Sequence, residues 1–263
     1  MKTATFAAAL SIALMTSAHA VIVASDNGSN YGSGWTSGSN GGTGFGAWSF
    51  IESGLGYKGA FIGNPGNIGV TGMGSSAFAL YANPGNVVPA PQIIAARSFN
   101  TALGIGDSFS LQWGINWGNG GGSKGLYLYS GTNPISLNSR PTMMLVNQGE
   151  NPEIQVYNEG ATTAAWTNAG FGYGTNAMTW TFTQTTLTSV TVTANDRDGS
   201  GSFTATMSVT GPLSGFGLMA HAQYDNNGNR EPYYNNFSIN AVPAPGAAAL
   251  IGLAGLITSR RRK

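Results

Sequence analysis

Two short loops carry oxygen side chains at spacings that could bind a metal ion. The first contains Asp196 and Asp198, and the second contains Asp225, Asn227 and Asn229. Hard cations take six to eight oxygen ligands, so alternating Asp and Asn residues make calcium a candidate cofactor. A polar turn between strands is the simpler interpretation of both loops, because Asp, Asn and Gly all favour turns. No Glu follows Asp198 at the distance expected of a bidentate calcium ligand.

Residues suited to catalysis are few. His221 is the single His beyond residue 20, and its apolar surroundings in the sequence are typical of a packed or half-buried strand residue. Glycoside hydrolysis uses two carboxylates about 5–10 Å apart. Outside the two loops, acidic residues cluster only at Glu150, Glu153 and Glu159, and the first two flank the turn sequence Asn-Pro. We therefore predict no catalytic residue.

Aromatic side chains could stack on a sugar ring. Trp113 and Trp117 lie on one face of a predicted strand, about 13 Å apart at 3.3 Å per residue. They share that face with three apolar residues, so burial in the core is the favoured interpretation. Other aromatic residues lie among Gly, Ser, Thr and Asn and are expected to be exposed: Trp35, Phe45 and Trp166.

The elements that would position these residues are predicted β-strands. Apolar and polar residues alternate within 108–117, 178–183, 189–194 and 203–209. This period of two is typical of half-buried antiparallel strands. Further apolar runs lie near 76–81, 124–129, 142–147, 153–158, 213–222 and 233–239. The sequence predicts an all-β domain over 21–241, with roughly ten to thirteen strands in an antiparallel two-sheet jelly-roll or concanavalin-like β-sandwich.

The N-terminal part of this domain, residues 27–74, is rich in glycine. Gly occupies 16 of its 48 positions without a three-residue period, which excludes a collagen helix. Aromatic residues recur along the stretch, so we expect a loop packed on a sheet rather than disorder.

Composition excludes several classes of protein. The 263 residues include 40 Gly and no Cys, which excludes disulfide scaffolds, Cys-ligated zinc and thiol catalysis. Only 8% of residues are charged, and the formal net charge is +1. Between the two chain ends, six basic residues stand against ten acidic ones, a net charge of −4. Such a balance argues against nucleic acid as a partner.

The N-terminus has the three parts of a secretory signal peptide. Lys2 precedes an apolar run from Phe6 to Met15, and Ala18-His19-Ala20 forms a small-x-small cleavage site. We predict a signal helix over 1–20, removal by signal peptidase and a mature chain that begins near Val21.

The C-terminus, residues 242–263, has a second signal. A Val-Pro-Ala-Pro motif precedes a run of 14 uncharged residues, and the chain closes on Arg-Arg-Arg-Lys. A helix of that length reaches roughly 21 Å, short of a hydrocarbon core of about 30 Å. The segment is predicted to be a hydrophobic helix that temporarily stops translocation of the chain across the membrane. A permanent single-span anchor is the alternative.

This tail resembles the PEP-CTERM sorting signal of bacterial envelope proteins, although Ala244 stands where the name-giving motif has Glu. The resemblance rests on the order of motif, short apolar helix and Arg cluster: Val242, Pro243, Ala244 and Pro245, then Arg260, Arg261 and Arg262. It implies cleavage by an exosortase-type protease and sorting to the cell surface or to extracellular polymer.

Three segments of the body resemble a recurring group of exported bacterial β-sandwich proteins that carry this tail: Trp35–Trp48, Gly106–Ser110 and Tyr233–Ile239. The last also resembles the final strand of many jelly-roll carbohydrate-binding modules, which implies fold more than activity.

Three functions are compatible with these features. The first is an exported, non-catalytic surface or matrix protein whose partners are signal peptidase and an exosortase-type protease, with extracellular polysaccharide as a further candidate partner. The alternative is a carbohydrate-binding module, with calcium as a candidate stabilising ion. A weaker alternative is a polysaccharide hydrolase or lyase.

Overall fold

The computed structural model describes residues 19–243 except 33, 84–85, 117–121, 133–142, 149–152, 159–164, 173, 196–200 and 224–230. Fifteen β-strands form the regular structure of this part of the chain. The strands are β1 (Val21–Asp26), β2 (Ser49–Ser53), β3 (Tyr57–Gly63), β4 (Ala77–Asn83), β5 (Gln92–Ser98), β6 (Ser108–Gly114), β7 (Ser123–Ser130), β8 (Met143–Gln148), β9 (Glu153–Asn158), β10 (Ala165–Gly172), β11 (Met178–Thr186), β12 (Ser189–Asn195), β13 (Ser202–Ser208), β14 (Leu213–His221) and β15 (Tyr233–Ala241). Two 3-10 helices occupy Gly28–Tyr31 and Pro65–Ile68.

The strands form two sheets. The first sheet has the order β13-β12-β11-β6-β15-β4-β3, with β1 pairing β15 as an eighth strand. The second sheet has the order β10-β9-β8-β7-β14-β5-β2. Neighbouring strands run antiparallel in both, as in the registers of β11 with β6 and β14 with β7. The predicted all-β fold with antiparallel sheets is confirmed.

The inner faces of the two sheets share one hydrophobic core, which makes the arrangement a sandwich. Phe109 of the first sheet stacks on Phe216 of the second, with ring centroids 4.8 Å apart. The hydroxyl of Tyr234 crosses between the sheets and donates to the carbonyl of Gly125 at 2.6 Å. These contacts join layers that each bury one apolar face.

The strictly alternating segments form strands as predicted. In β6, Phe109, Leu111 and Trp113 are buried, and the polar residues between them are partly exposed. The polar loop between β12 and β13 joins paired antiparallel strands, since Asn195 lies opposite Ser202. This pairing is the hairpin that the turn interpretation expects.

Five strands lie outside the predicted runs: β1, β2, β3, β5 and β10. In β5 the five residues from 93 to 97 are all buried, so the segment shows no alternation. Strands β2 and β3 lie inside the glycine-rich part, where a packed loop was expected. That expectation holds for the remainder of the segment but is wrong for these residues, which form the end strand of each sheet.

Glycines in β14 hold two tyrosines against the outer face of the second sheet. A Cβ on Gly217 would lie 2.3 Å from the ring of Tyr127, and one on Gly215 would lie 2.2 Å from the hydroxyl of Tyr129. Both rings are buried although they lie on the outside of the sheet. Because the rings occupy the space of the missing side chains, these glycines are packing positions rather than turn positions.

Residues Ile22–Ala241 form one compact unit. Of the two chain ends, residues 19–21 and 242–243 are described, so residues 1–18 of the predicted signal helix and the whole apolar run of the tail lie outside the described residues. Within the described part of the chain, no helix has the length and apolar character needed to cross a membrane.

Candidate functional site

A cleft of about 490 Å³ opens where the end strands of the two sheets meet. Strand β2 ends the second sheet and β3 ends the first, and a three-residue turn, 54–56, joins them. The described lining comes from three stretches of the glycine-rich part and one residue of β4: Trp35, Thr36, Ser37, Phe50, Glu52, Gly59, Ala60 and Tyr81. We call this site the edge cleft.

Trp35 forms the buried wall of the edge cleft. Its ring meets Phe50 edge-on, with centroids 5.0 Å apart, and meets Phe78 at 4.8 Å. The side chain is only 2% exposed, and its indole Nε1 has no hydrogen-bond partner in the described structure. The indole N–H of Trp35 is therefore a buried, unsatisfied hydrogen-bond donor, which is energetically unfavourable.

Two partly exposed aromatic residues, Phe50 and Tyr81, complete the apolar lining. Tyr81 lies over Gly59 of the neighbouring strand, where a Cβ would come within 2.6 Å of the tyrosine hydroxyl. The absence of a side chain at Gly59 therefore makes room for the tyrosine ring. Gly59 therefore determines where the Tyr81 wall of the cleft lies.

The polar lining of the edge cleft consists of one carboxylate and two hydroxyl side chains. Glu52 is exposed and lies two residues beyond Phe50 on β2, so both side chains project from the same face of the strand. The hydroxyl of Ser37 accepts a hydrogen bond from the backbone N–H of Phe50 at 3.3 Å. This bond ties the loop that carries Trp35 to β2.

A buried ion pair holds the rest of that loop. Arg97 points inward from β5, and its Nη1 donates to Asp26 Oδ2; both side chains are fully buried. Its Nη2 donates to Asn40 Oδ1 at 2.7 Å and to the Gly41 carbonyl at 2.8 Å. The phenol of Tyr31 donates to Asp26 Oδ2 at 2.6 Å. We call Asp26, Tyr31, Asn40 and Arg97 the Arg97 network.

The network is enclosed by aromatic rings. The guanidinium of Arg97 lies 5.1 Å from the ring centroid of Phe45 and 5.4 Å from that of Trp48. Burial, followed by the hydrogen bond to Asp26, raises the pKa of Tyr31 to about 12. Tyr31 thus remains a neutral hydrogen-bond donor at physiological pH. The arrangement is that of a structural ion pair that fixes a loop with little regular structure.

Asn235 of β15 is a second buried polar residue that anchors the glycine-rich part. Its Nδ2 donates to the carbonyls of Met73 and Ser76, and its Oδ1 accepts from the N–H of Gly28 at 2.9 Å. The next residue, Asn236, is exposed, has a left-handed φ of 52° and lies at a register shift in the strand. Strand β15 therefore buries Asn235 and exposes Asn236.

The predicted metal ligands Asp196, Asp198, Asp225, Asn227 and Asn229 all lie outside the described residues. Within the described ranges, no group of three or more His, Asp or Glu side chains could hold a metal ion. The candidate calcium loops therefore stay sequence predictions.

Of the residues considered for catalysis, the structure describes His221 and Glu153, which lie on strands separated by β7 and β8. His221 is half-buried at the end of β14, as expected, and burial lowers its pKa. Glu153 is partly buried at the start of β9, and the other two members of the acidic cluster, Glu150 and Glu159, lie outside the described residues. Burial raises the pKa of Glu231 to about 7.

The expectation that Trp35 and Phe45 are exposed is wrong. They are 2% and 3% exposed, because the glycine-rich loops fold them into the core between the sheets. Trp113 is fully buried, as expected. Trp117 lies outside the described residues, as does the side chain of Trp166.

Comparison with known proteins gives distant structural likenesses. No protein-family model matches the chain, and no curated protein sequence matches it. A carbohydrate esterase of the Shiga toxin-encoding bacteriophage phi24B is similar over 73% of this chain and 90% of its own, at 13% identity and a TM-score of 0.42. The metal-free exoplasmic/lumenal domain of VIP36 is similar over 86% of this chain and 95% of its own, at 11% identity and a TM-score of 0.46. The binding domain of botulinum neurotoxin serotype D is similar over 74% of this chain and 46% of its own, at 13% identity and a TM-score of 0.40. At this level of likeness, none of the three assigns a site or an activity to this chain.

Proposed function

We propose that the protein is an exported, non-catalytic β-sandwich of the cell surface or extracellular matrix, trimmed by signal peptidase and by an exosortase-type protease. The observation that carries the proposal is where the sheets begin and end. Strand β1 starts at Val21 and β15 ends at Ala241, so both predicted cuts fall outside the sheets. Pro243 is exposed, and Val242 is 40% exposed. Removal of both ends would leave every described strand in place.

The sandwich is proposed to be of the jelly-roll or concanavalin type. In support, the chain crosses repeatedly between the sheets, and its last two strands occupy central positions, β14 in the second sheet and β15 in the first.

The mass of the mature protein, purified from the cell surface or the medium, tests both cuts at once. The expected mass is below the 27.0 kDa of the full chain by the weight of residues 1–20 and of the tail. A mass that still includes residues 246–263 would favour the permanent anchor. A mass that includes residues 1–20 would contradict the signal peptide.

Deletion of residues 243–263 tests sorting separately from cleavage. The truncated protein should pass into the medium rather than reach the surface, because the segment that halts transport is missing. Replacement of Arg260, Arg261 and Arg262 by Lys is the matched control, since it keeps the terminal positive charge. Unchanged surface display after the deletion would overturn the sorting proposal.

A second candidate function, the binding of extracellular carbohydrate, is favoured by the edge cleft. Sugar sites combine aromatic faces with hydrogen-bonding groups, and this cleft has both. Its described lining offers one carboxylate, Glu52, whereas hydrolysis of a glycosidic bond uses two. The cleft therefore supports binding over hydrolysis.

Calcium is tested by thermal melting with and without millimolar CaCl₂. Because turns explain the two candidate loops without metal, we expect a shift of the melting temperature below about 1 °C, which corresponds to less than about 0.5 kcal/mol for a domain of this size. A larger shift that disappears in Asp225→Asn would establish a stabilising site in the second loop.

A further inference from the structure

We propose that the edge cleft binds one uncharged sugar ring of a polysaccharide, held between Phe50 and Tyr81 and oriented by Glu52. This inference rests on the carbohydrate-binding function given above and names its site and ligand class. The cleft volume of about 490 Å³ is in the range of small-ligand sites.

The apolar lining suits the flat face of a pyranose ring. The face of an aromatic ring is negatively charged, so it attracts the weakly positive C–H groups that a sugar presents on one side. Phe50 and Tyr81 belong to different sheets and line the same cleft, each with part of its surface open. A ring that enters the cleft would contact aromatic surface contributed by both sheets.

The polar lining suits the hydroxyl edge of the same ring. Phe50 and Glu52 project from one face of β2 about 7 Å apart, which is two residues of extended chain. A ring on Phe50 would therefore present its edge near the carboxylate. An ionised carboxylate accepts hydrogen bonds only, and its two oxygens can accept from two neighbouring hydroxyls.

The charge of the lining selects against other ligands. Among the described residues that line the cleft, Glu52 is the one charged side chain, so a uronate or sulfated sugar would meet a negative charge and no cation from these residues. A single carboxylate is also too few ligands for calcium, which takes six to eight oxygens. An uncharged sugar fits both the apolar walls and the lone acceptor.

The test is the affinity of the purified protein for soluble neutral polysaccharides (dextran, laminarin and mannan), with alginate as the anionic probe. Wild-type protein should bind at least one neutral probe and bind alginate more weakly. Glu52→Gln should weaken that binding by about tenfold, because it removes the charge-assisted hydrogen bonds. Tyr81→Ala should weaken it by tenfold or more, because it removes a stacking wall.

Tyr57→Ala is the matched aromatic control. Tyr57 is 72% exposed on β3 and does not line the cleft, so its loss should leave binding unchanged. Melting temperatures show whether each variant folds; Glu52 is on the surface, so Glu52→Gln stays informative even if Tyr81→Ala proves unstable.

The outcomes separate this inference from the functions on which it rests. Neutral-sugar binding that is unchanged in both cleft variants would place the sugar elsewhere, overturning the edge cleft while carbohydrate binding stands. Preferential binding to alginate would overturn the uncharged ligand class. Failure to bind any probe would overturn both the inference and carbohydrate binding, and would leave the exported sandwich to be judged on its mature mass.

Discussion

Removal of Arg97 should destabilise the protein more than loss of any surface charge. Arg97→Met keeps an unbranched side chain that reaches about as far as the arginine Nε, but it removes five hydrogen bonds and leaves the carboxylate of Asp26 buried without its cation. Breaking a buried ion pair from one side costs about 3–5 kcal/mol, since the remaining charge keeps its desolvation penalty. A domain of this size has a total stability of about 5–15 kcal/mol. The variant should therefore lose about a fifth or more of the free energy of unfolding.

Urea unfolding of wild-type and variant protein, followed by tryptophan fluorescence, measures this loss. The midpoint should fall with little change in slope, and the melting temperature should drop by about 6–20 °C. Lys58→Met is the control, because among the described residues the Lys58 ammonium donates to the backbone carbonyls of Gly54 at 3.0 Å and of Gly56 at 3.5 Å. Lys58→Met should lower the free energy of unfolding by less than about 1.5 kcal/mol, which is the upper end of the net contribution of one hydrogen bond.

A double variant tests whether charge pairing is the cause. Asp26→Asn combined with Arg97→Met removes both charges, and the Asn carbonyl can still accept from Tyr31. The double variant should be more stable than Arg97→Met alone by at least about 0.5 kcal/mol. The reasoning is refuted if Arg97→Met costs less than about 1 kcal/mol, or if the costs of the two single changes simply add.

Three further changes test other parts of the fold. Asn235→Ala should lower the free energy of unfolding, measured in urea, by about 2–3 kcal/mol, because buried backbone groups lose their hydrogen-bond partners. Asn236 is exposed, so Asn236→Gly should change the free energy of unfolding by no more than about 0.5 kcal/mol. Gly217→Ala should lower the free energy of unfolding by about 1–3 kcal/mol, because the new Cβ would clash with the buried ring of Tyr127. Gly211→Ala is the control and should be close to neutral, since its Cβ would lie 3.8 Å from its nearest neighbour. Equal melting temperatures for the two variants would contradict the packing role of Gly217. His221 has a lowered pKa in the fold, so the unfolded chain binds more protons below pH 6.5 and stability should fall as the pH is lowered through that range. His221→Gln should flatten the slope, and an unaltered pH profile would show that other groups cause it.

Much of the fold could be predicted because many strands bury one face only. Val190, Val192 and Ala194 of β12 are buried between more exposed Thr and Ser residues, and that contrast is visible in the sequence. Strand β5 buries both faces and therefore shows no alternation. In β3, Gly59 stands where an apolar residue would continue the pattern, and the ring of Tyr81 fills the space instead. A pattern cannot show a side chain that comes from a neighbouring strand.

The edge cleft could not be predicted, because it joins residues that are distant in the sequence. Trp35 lies among small polar residues, which suggested exposure, yet it is buried because the loop folds back over Phe50 and Phe78. The Arg97 network left a clearer signal. Arg97 continues the inward series of Ile93 and Ala95 on β5, and an inward charge demands a buried partner. That signal indicates a partner without naming Asp26, which lies 71 residues away.

The Arg97 network and the edge cleft depend on the same loop. Trp35–Ser37 form one wall of the cleft, and Asn40 and Gly41 accept hydrogen bonds from Arg97 a few residues further along. Between these points, the N–H of Gly38 donates to the Trp48 carbonyl at 2.8 Å, so the loop is fixed at both ends and in the middle. A glycine-rich loop has high conformational entropy in the unfolded chain, and it can shape a binding wall only if such bonds offset that entropy. The buried pair of Asp26 and Arg97 orders the loop, and the exposed carboxylate of Glu52 lies in the cleft for which we propose a sugar ligand. The glycine-rich part is therefore the segment in which the stability of the sandwich and the proposed recognition of sugar are determined together.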